Sequence, residues 1–177
     1  GQSVELRSLL EHLGAKVVAI PTIAIGPPED WARADASIER LNDFDWIIFT
    51  SANAVDAFLD RAGSIPRARV AVVGSQTAHR LQERDIAVHL IPQDFRSEAL
   101  INSFPEDLRG LEILIPHAQS GNDLLPDTLQ QRGAQVNLVP VYRNQMPNSG
   151  GHELRAQLEA GSIDCITLTS GSTARNL

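Results

Sequence analysis

A single cysteine, Cys165, leaves the 177-residue chain unable to form an internal disulfide and fits a reducing compartment. Basic residues are in deficit. Fifteen Lys and Arg stand against 22 Asp and Glu, a net charge of −7, which counts against nucleic acid or an anionic membrane as partner because both select a basic face. No apolar run is long enough to span a bilayer and no signal-peptide pattern opens the sequence, so a cytoplasmic location is expected. The five histidines (12, 79, 89, 117 and 152) show no zinc spacing, and no metal site is expected. A Walker A lysine is missing, and Gly74-Ser75-Gln76-Thr77 lacks the further glycine of a dinucleotide fingerprint, which counts against a nucleotide site. No nucleophile–base–acid set is visible. A small anionic ligand survives these exclusions, since helix N-termini bind anions whatever the net charge. The apolar share, 42%, suffices for a packed core, and the length allows one or two domains.

What the chain does contain is a repeat. Asp45-Trp46-Ile47-Ile48-Phe49-Thr50-Ser51 returns 119 residues later as Asp164-Cys165-Ile166-Thr167-Leu168-Thr169-Ser170. Leu10, Gly14, Ala15, Val17 and Pro21 return at the same offset as Leu129, Gly133, Ala134, Val136 and Pro140. A period this long points to two copies of a whole domain rather than a solenoid, with a ligand expected between them.

Short Val- and Ile-rich runs alternate with amphipathic stretches. The runs 17–20, 46–49, 70–73, 88–91, 113–115, 136–139 and 166–168 lack strict alternation, as strands buried on both faces do. Residues 54–62, 77–84, 98–104 and 123–132 have helical spacing. The fold class read from this order is α/β with parallel sheets. Gly63, Gly110 and Gly133 follow helical stretches as left-handed termini; Ser97 and Ser120 are expected as N-caps; Pro21, Pro92, Pro116 and Pro140 are expected to close strands. The linker-like segments Gly26-Pro27-Pro28 and 147–151 nearly bracket one repeat. The expected domains are therefore 26–140, and a discontinuous one from 1–20 with 150–177, joined through 21–25 and 141–149. By the same offset, a strand is expected before Gly1 and a second Gly-x-x-Thr loop near position 193, so the discontinuous domain is expected to be incomplete at both ends. Cys165 is expected to be a small buried core residue.

Ligands of parallel α/β sheets bind at the carboxyl ends of strands. Four loops there are built of small polar residues leading into helices: Thr50-Ser51-Ala52-Asn53, Gly74-Ser75-Gln76-Thr77, residues 117–122 beginning at His117, and Ser170-Gly171-Ser172-Thr173. Such loops suit carboxylates or phosphates. The competing reading, that these side chains only cap helices, stays open for each loop taken singly. Tyr142, the only tyrosine, is open between packing and service as an acid toward a leaving group.

Taken in order along nearly the whole chain, these residues resemble the uroporphyrinogen-III synthase family. The resemblance is carried by Leu13-Gly14-Ala15, Ile48-Phe49-Thr50-Ser51-Ala52-Asn53, Val73-Gly74-Ser75-Gln76-Thr77, Ser97-Glu98-Ala99-Leu100, Ile113-Leu114-Ile115-Pro116, Val141-Tyr142 and Thr169-Ser170-Gly171-Ser172. It implies two similar parallel-sheet (flavodoxin-like) α/β domains joined by a two-stranded linker, with the site in the cleft. The implied reaction is cofactor-free: hydroxymethylbilane, a linear tetrapyrrole rich in carboxylates, loses water and cyclises with inversion of its last pyrrole ring. Carried over by motif, Tyr142 assists departure of the hydroxyl. Thr50, Ser51, Ala52, Asn53, Ser75, Thr77, Ser97, His117, Ser170 and Ser172 bind substrate. Many members carry Arg in the loop where this chain has His117 and Asn122, so strong charge pairing from that loop is not expected and His117 is expected to substitute only in part. A monomer is expected. The alternative class is a non-catalytic ligand-sensing regulatory module of the same fold; a periplasmic solute-binding protein is a third and weaker fit.

Overall fold

In the computed structural model, residues 2–65, 67–120, 124–147 and 151–168 are described. The chain runs α1 (Gln2–His12), β1 (Ala24–Gly26), α2 (Ala32–Glu39), a 3-10 turn at Leu41–Asp43, β2 (Trp46–Phe49), α3 (Ala52–Ala62), β3 (Arg69–Val72), α4 (Ser75–Gln82), α5 (Ser97–Asn102), β4 (Glu112–Ala118), α6 (Leu124–Gln131), β5 (Gln135–Gln145) and α7 (Gly151–Glu159). It divides into two units, Ile25–Asn144 and Gly1–Ala24 with Gln145–Leu177.

The first of these is an α/β layer built on one sheet of order β1-β5-β4-β2-β3. The pairs β2–β3, β2–β4 and β4–β5 are parallel. Because β2 has a strand on each side and helices over both faces, all four of its residues are buried, which is why its sequence does not alternate. Ile47 and Phe49 face a core made with Val55 and Phe58 of α3 and Leu81 of α4. Trp46 and Ile48 face the opposite core, with Leu100 and Ile101 of α5 and Leu129 of α6. Each such side chain contributes about 1.5–3 kcal/mol by burial. The rings of Phe49 and Phe58 meet edge to face at 5.8 Å, which fixes α3 against the sheet.

Helix α3 shows why the site lies where it does. Its buried residues Ala54, Val55, Phe58 and Leu59 fall on one face. Ser51 caps it, accepting the Ala54 N–H at 3.2 Å. Gly63 stops it at φ 75°, donating its N–H to the Leu59 carbonyl at 2.8 Å. Strand β2 thus feeds directly, through Thr50 and Ser51, into a helix N-terminus at the carboxyl edge of the sheet.

Several expectations need correction. Residues 17–20 and 166–168 are not strands: neither has a ladder partner among the described residues, and Val18, Ile166 and Leu168 are exposed. Cys165 is exposed rather than buried, because the segment carrying it packs into no sheet. The run 88–91 makes only one bridge, Leu90 to Ala71, although Val72 does donate to the Leu90 carbonyl at 3.0 Å. Pro116 and Pro140 lie inside strands rather than closing them. Strand β4 pairs on with β5 to Ala118, and the register slips after His117 so that Ala118 faces Tyr142; such a bulge is where a strand accommodates proline. Ser97 is the first residue of α5 and not its cap, which is Arg96 without a side-chain bond. Helices α1, α2 and α7 and strand β1 have no counterpart among the elements expected from the sequence.

Candidate functional site

Three of the four expected loops, together with Tyr142, lie along one edge of the Ile25–Asn144 unit, while the fourth, 170–173, lies outside the described residues. Their order is dictated by the sheet: Tyr142 on β5, His117 and Ala118 on β4, Thr50 and Ser51 after β2, Gly74 and Ser75 after β3. The register carries the row across. His117 pairs with Pro140 and Ala118 with Tyr142. Phe49 pairs with Val72, and Val73 donates to the Phe49 carbonyl at 3.3 Å.

Tyr142 is buried, 8% exposed. Its hydroxyl oxygen lies 3.2 Å from Oγ of Ser51, and either can donate. The backbone around it is tied down: Gln119 N–H donates to the Tyr142 carbonyl at 2.8 Å, and Glu29 N–H donates to Oε1 of Gln119 at 3.0 Å. A phenol held in this way on a strand beside a helix N-terminus can donate a proton or hydrogen bond to a group arriving at the edge.

The next helix N-terminus differs. Helix α4 is capped by the backbone of Gly74, with no side-chain acceptor. Its first-turn N–H groups therefore offer donors to an anion, whereas one such donor of α3 is taken by Ser51. Ser75 is exposed there and Thr77 is buried at 4% exposure. A Cβ added at Gly74 would lie 3.9 Å from Cβ of Phe95, so the turn leading to Arg96 and Ser97 flanks the same helix start. Arg96 offers that start little free charge. Its guanidinium binds Asp94, Nε to Oδ2 at 3.0 Å, and holds the Asp94 carboxyl below the usual carboxylate range. Asn53 and Thr50 are exposed, Ala52 and His117 half-buried. Ser170 and Ser172 lie outside the described residues. Among the described residues no three His, Cys, Asp or Glu side chains gather in a way that could hold a metal ion.

Beneath Tyr142, on the α3 side of the sheet, is an open hollow of about 580 Å³ lined by Ile25, Pro27, Trp31, Arg61, Val141 and Tyr142 among others. Arg61 stacks on the Trp31 ring at 4.5 Å and bonds Asp35 of α2, Nη2 to Oδ2 at 2.7 Å. That hydrogen bond lowers the Asp35 carboxyl below its ordinary range. The sequence reading missed Gln119, Glu29, Trp31 and Arg61 here. Gln119 belongs to the 117–122 loop; the other three carry no motif, and only the fold brings them near Tyr142.

Similarity to known proteins points one way. A family model described as uroporphyrinogen-III synthase HemD matches residues 4–177. The uroporphyrinogen-III synthase of Synechococcus elongatus is 35% identical over 99% of this chain and 69% of its own length. That of Escherichia coli is 25% identical over 98% of this chain and 73% of its own. Among solved structures, a mutant uroporphyrinogen III synthase from Thermus thermophilus superposes with a TM-score of 0.64 at 22% identity, covering 89% of this chain and 65% of that one; it speaks for the fold. The chain thus spans about two thirds of the length of the proteins it matches.

Proposed function

The chain belongs to the uroporphyrinogen-III synthase family, and from that premise we propose that its protein is the dehydrating cyclase of tetrapyrrole biosynthesis. In this reading it is a cytoplasmic, monomeric carbon–oxygen lyase that converts hydroxymethylbilane to uroporphyrinogen III without a cofactor. The division into domains 26–140 and 1–20 with 150–177, joined through 21–25 and 141–149, belongs to the same proposal.

The observation that carries the reading is the Tyr142 phenol, 3.2 Å from the Ser51 cap in a row of small polar loops. Loss of the substrate hydroxyl needs little acid–base power. The pyrrole nitrogen pushes electrons toward the terminal carbon, the carbon–oxygen bond breaks, and the hydroxyl leaves as water with a proton from Tyr142. The azafulvene left behind is attacked by the substituted carbon of the far pyrrole ring. The spiro intermediate rearranges, and the ring proton lost to restore aromaticity returns to the Tyr142 phenolate, so the net change is loss of one water. The harder task is to favour the inverted ring over head-to-tail closure, which is a matter of holding the chain of rings in one conformation. The α4 N-terminus with Ser75 and Thr77, the residues Thr50, Ala52 and Asn53 after β2, Ser97 and His117 are proposed to hold the carboxylates. Ser170 and Ser172 of the repeated loop are assigned the same task by the family resemblance.

The test is direct. Full-length protein is added to freshly generated hydroxymethylbilane and the uroporphyrinogen isomers are separated. Type III is expected to predominate; type I alone would reject the reading.

A further inference from the structure

We infer that Ser51 is a positioning residue for Tyr142 rather than a contact for substrate, and that it sets which way the phenolic hydrogen points. The inference rests on the role proposed for Tyr142 above. A serine hydroxyl has one hydrogen and two lone pairs. One lone pair of Ser51 is committed to the Ala54 N–H at 3.2 Å, which caps α3. Its hydrogen is then free to be donated to the Tyr142 oxygen, 3.2 Å away. In that arrangement the Tyr142 oxygen is the acceptor, and the phenolic hydrogen is released to point at the edge of the sheet, where a leaving hydroxyl would arrive. The opposite arrangement would bury the phenolic hydrogen against Ser51.

The same contact serves the step itself. As Tyr142 gives up its proton, negative charge grows on an oxygen that already accepts from Ser51. Ser51 in turn sits on the N-terminus of an 11-residue helix, whose partial positive charge is about half a unit. The stabilisation grows only as the proton leaves, so it acts on turnover and not on substrate binding. Thr50 and Asn53, on either side, are exposed and are the better placed to touch substrate; Ser51 is half-buried with both its partners already within the protein.

The experiment is a double-mutant cycle in the full-length enzyme, with kcat, KM and folding stability measured for each variant. Ser51→Ala is expected to lower kcat roughly tenfold, the loss of about one hydrogen bond, while KM moves less than about twofold. In a Tyr142→Phe background the same change should alter kcat less than about twofold. Ser51→Thr should restore most of the rate. Ser51→Gly removes the hydroxyl at little cost to the cap, so its kcat should fall as far as that of Ser51→Ala. An equal loss of kcat in both backgrounds, or a rise in KM at unchanged kcat, overturns the inference. The NMR signal of ¹³Cζ-labelled Tyr142, assigned with Tyr142→Phe, adds a readout that needs no turnover. It should move in Ser51→Ala and return in Ser51→Thr; a signal that stays in place also overturns the inference. If the wild-type enzyme yields only the type I isomer while the signal moves, the inference falls with the proposed function, and the moving signal shows that the function and not the pairing was wrong.

Discussion

Residues 5–20 and 124–139 are two copies of one pattern, and their structures agree only as far as Ala15 and Ala134. Both copies are helical, in α1 and α6. Both end on a glycine in the left-handed region, Gly14 at φ 89° and Gly133 at φ 97°. The closing bonds recur as well: Gly14 donates to Glu11 and Ala15 to Leu10, as Gly133 does to Gln130 and Ala134 to Leu129. After that point residues 135–145 form β5, while residues 15–20 form no strand. The other repeated block diverges in the same way. Trp46–Phe49 is a fully buried central strand, whereas Cys165–Leu168 is exposed and unpaired among the described residues. Helices and their caps are made by neighbours along the chain, so a shared local pattern gives a shared local structure. A strand exists only through a ladder, and its residues cannot supply the partner.

Changing matched positions tests this directly. The largest difference is expected at Ile47 and its counterpart Ile166, which are 0% and 46% exposed. Ile47→Ala should cost about 3 kcal/mol in urea unfolding, through lost burial and a residual cavity. Ile166→Ala should cost under about 0.5 kcal/mol. Equal losses would mean that both segments are packed and that the contrast is false.

A smaller difference is expected at the paired glycines. Gly14→Ala and Gly133→Ala each force a side chain into positive φ, at about 1 kcal/mol. At Gly133 the new Cβ would also lie 2.6 Å from Cγ of Arg109, whereas nothing lies within 4 Å of Gly14. Thermal melts should therefore place Gly133→Ala about 1 kcal/mol below Gly14→Ala. A reversed order would remove Arg109 from the account.

The smallest effect concerns acid. Asp35 of α2 is held below its ordinary range by Arg61 of α3, while the repeat counterpart on α7 is Leu154. A lowered folded-state value means the pair stabilises fully above the ordinary carboxylate range and loses its contribution as pH falls through the folded value. Both side chains are largely exposed, so the effect is small. Asp35→Asn should flatten the acid limb of the stability–pH curve slightly; an unchanged limb would show that the pair contributes nothing measurable.

The comparison also explains how far the sequence could be read. Strands in the middle of the chain were legible because Ile47, Ile48, Val70 and Ile113–Ile115 are buried on both faces, which apolar runs report. Residues 17–20 and 166–168 have the same composition, and composition alone does not tell whether a neighbour is present. Helix α2, half of it polar and with only Ala34 and Ser37 buried, leaves too faint a stripe to find. At the candidate site, Tyr142, Ser51 and Thr77 were legible as motif residues on strand ends. Their relation was not: the Ser51–Tyr142 contact spans 91 residues and exists only because β4 sets β5 beside the edge where β2 ends. Nor was the hollow at Trp31 and Arg61, which lie on separate elements without a shared pattern.

The central claim is that the Tyr142 phenol serves the departure of the substrate hydroxyl. The most direct measurement is the rate of type III isomer formation from hydroxymethylbilane by full-length wild-type and Tyr142→Phe enzymes of equal folding stability. The account predicts type III product from both, with the variant slower by roughly ten- to a hundredfold in kcat and little changed in KM. Equal rates would contradict it.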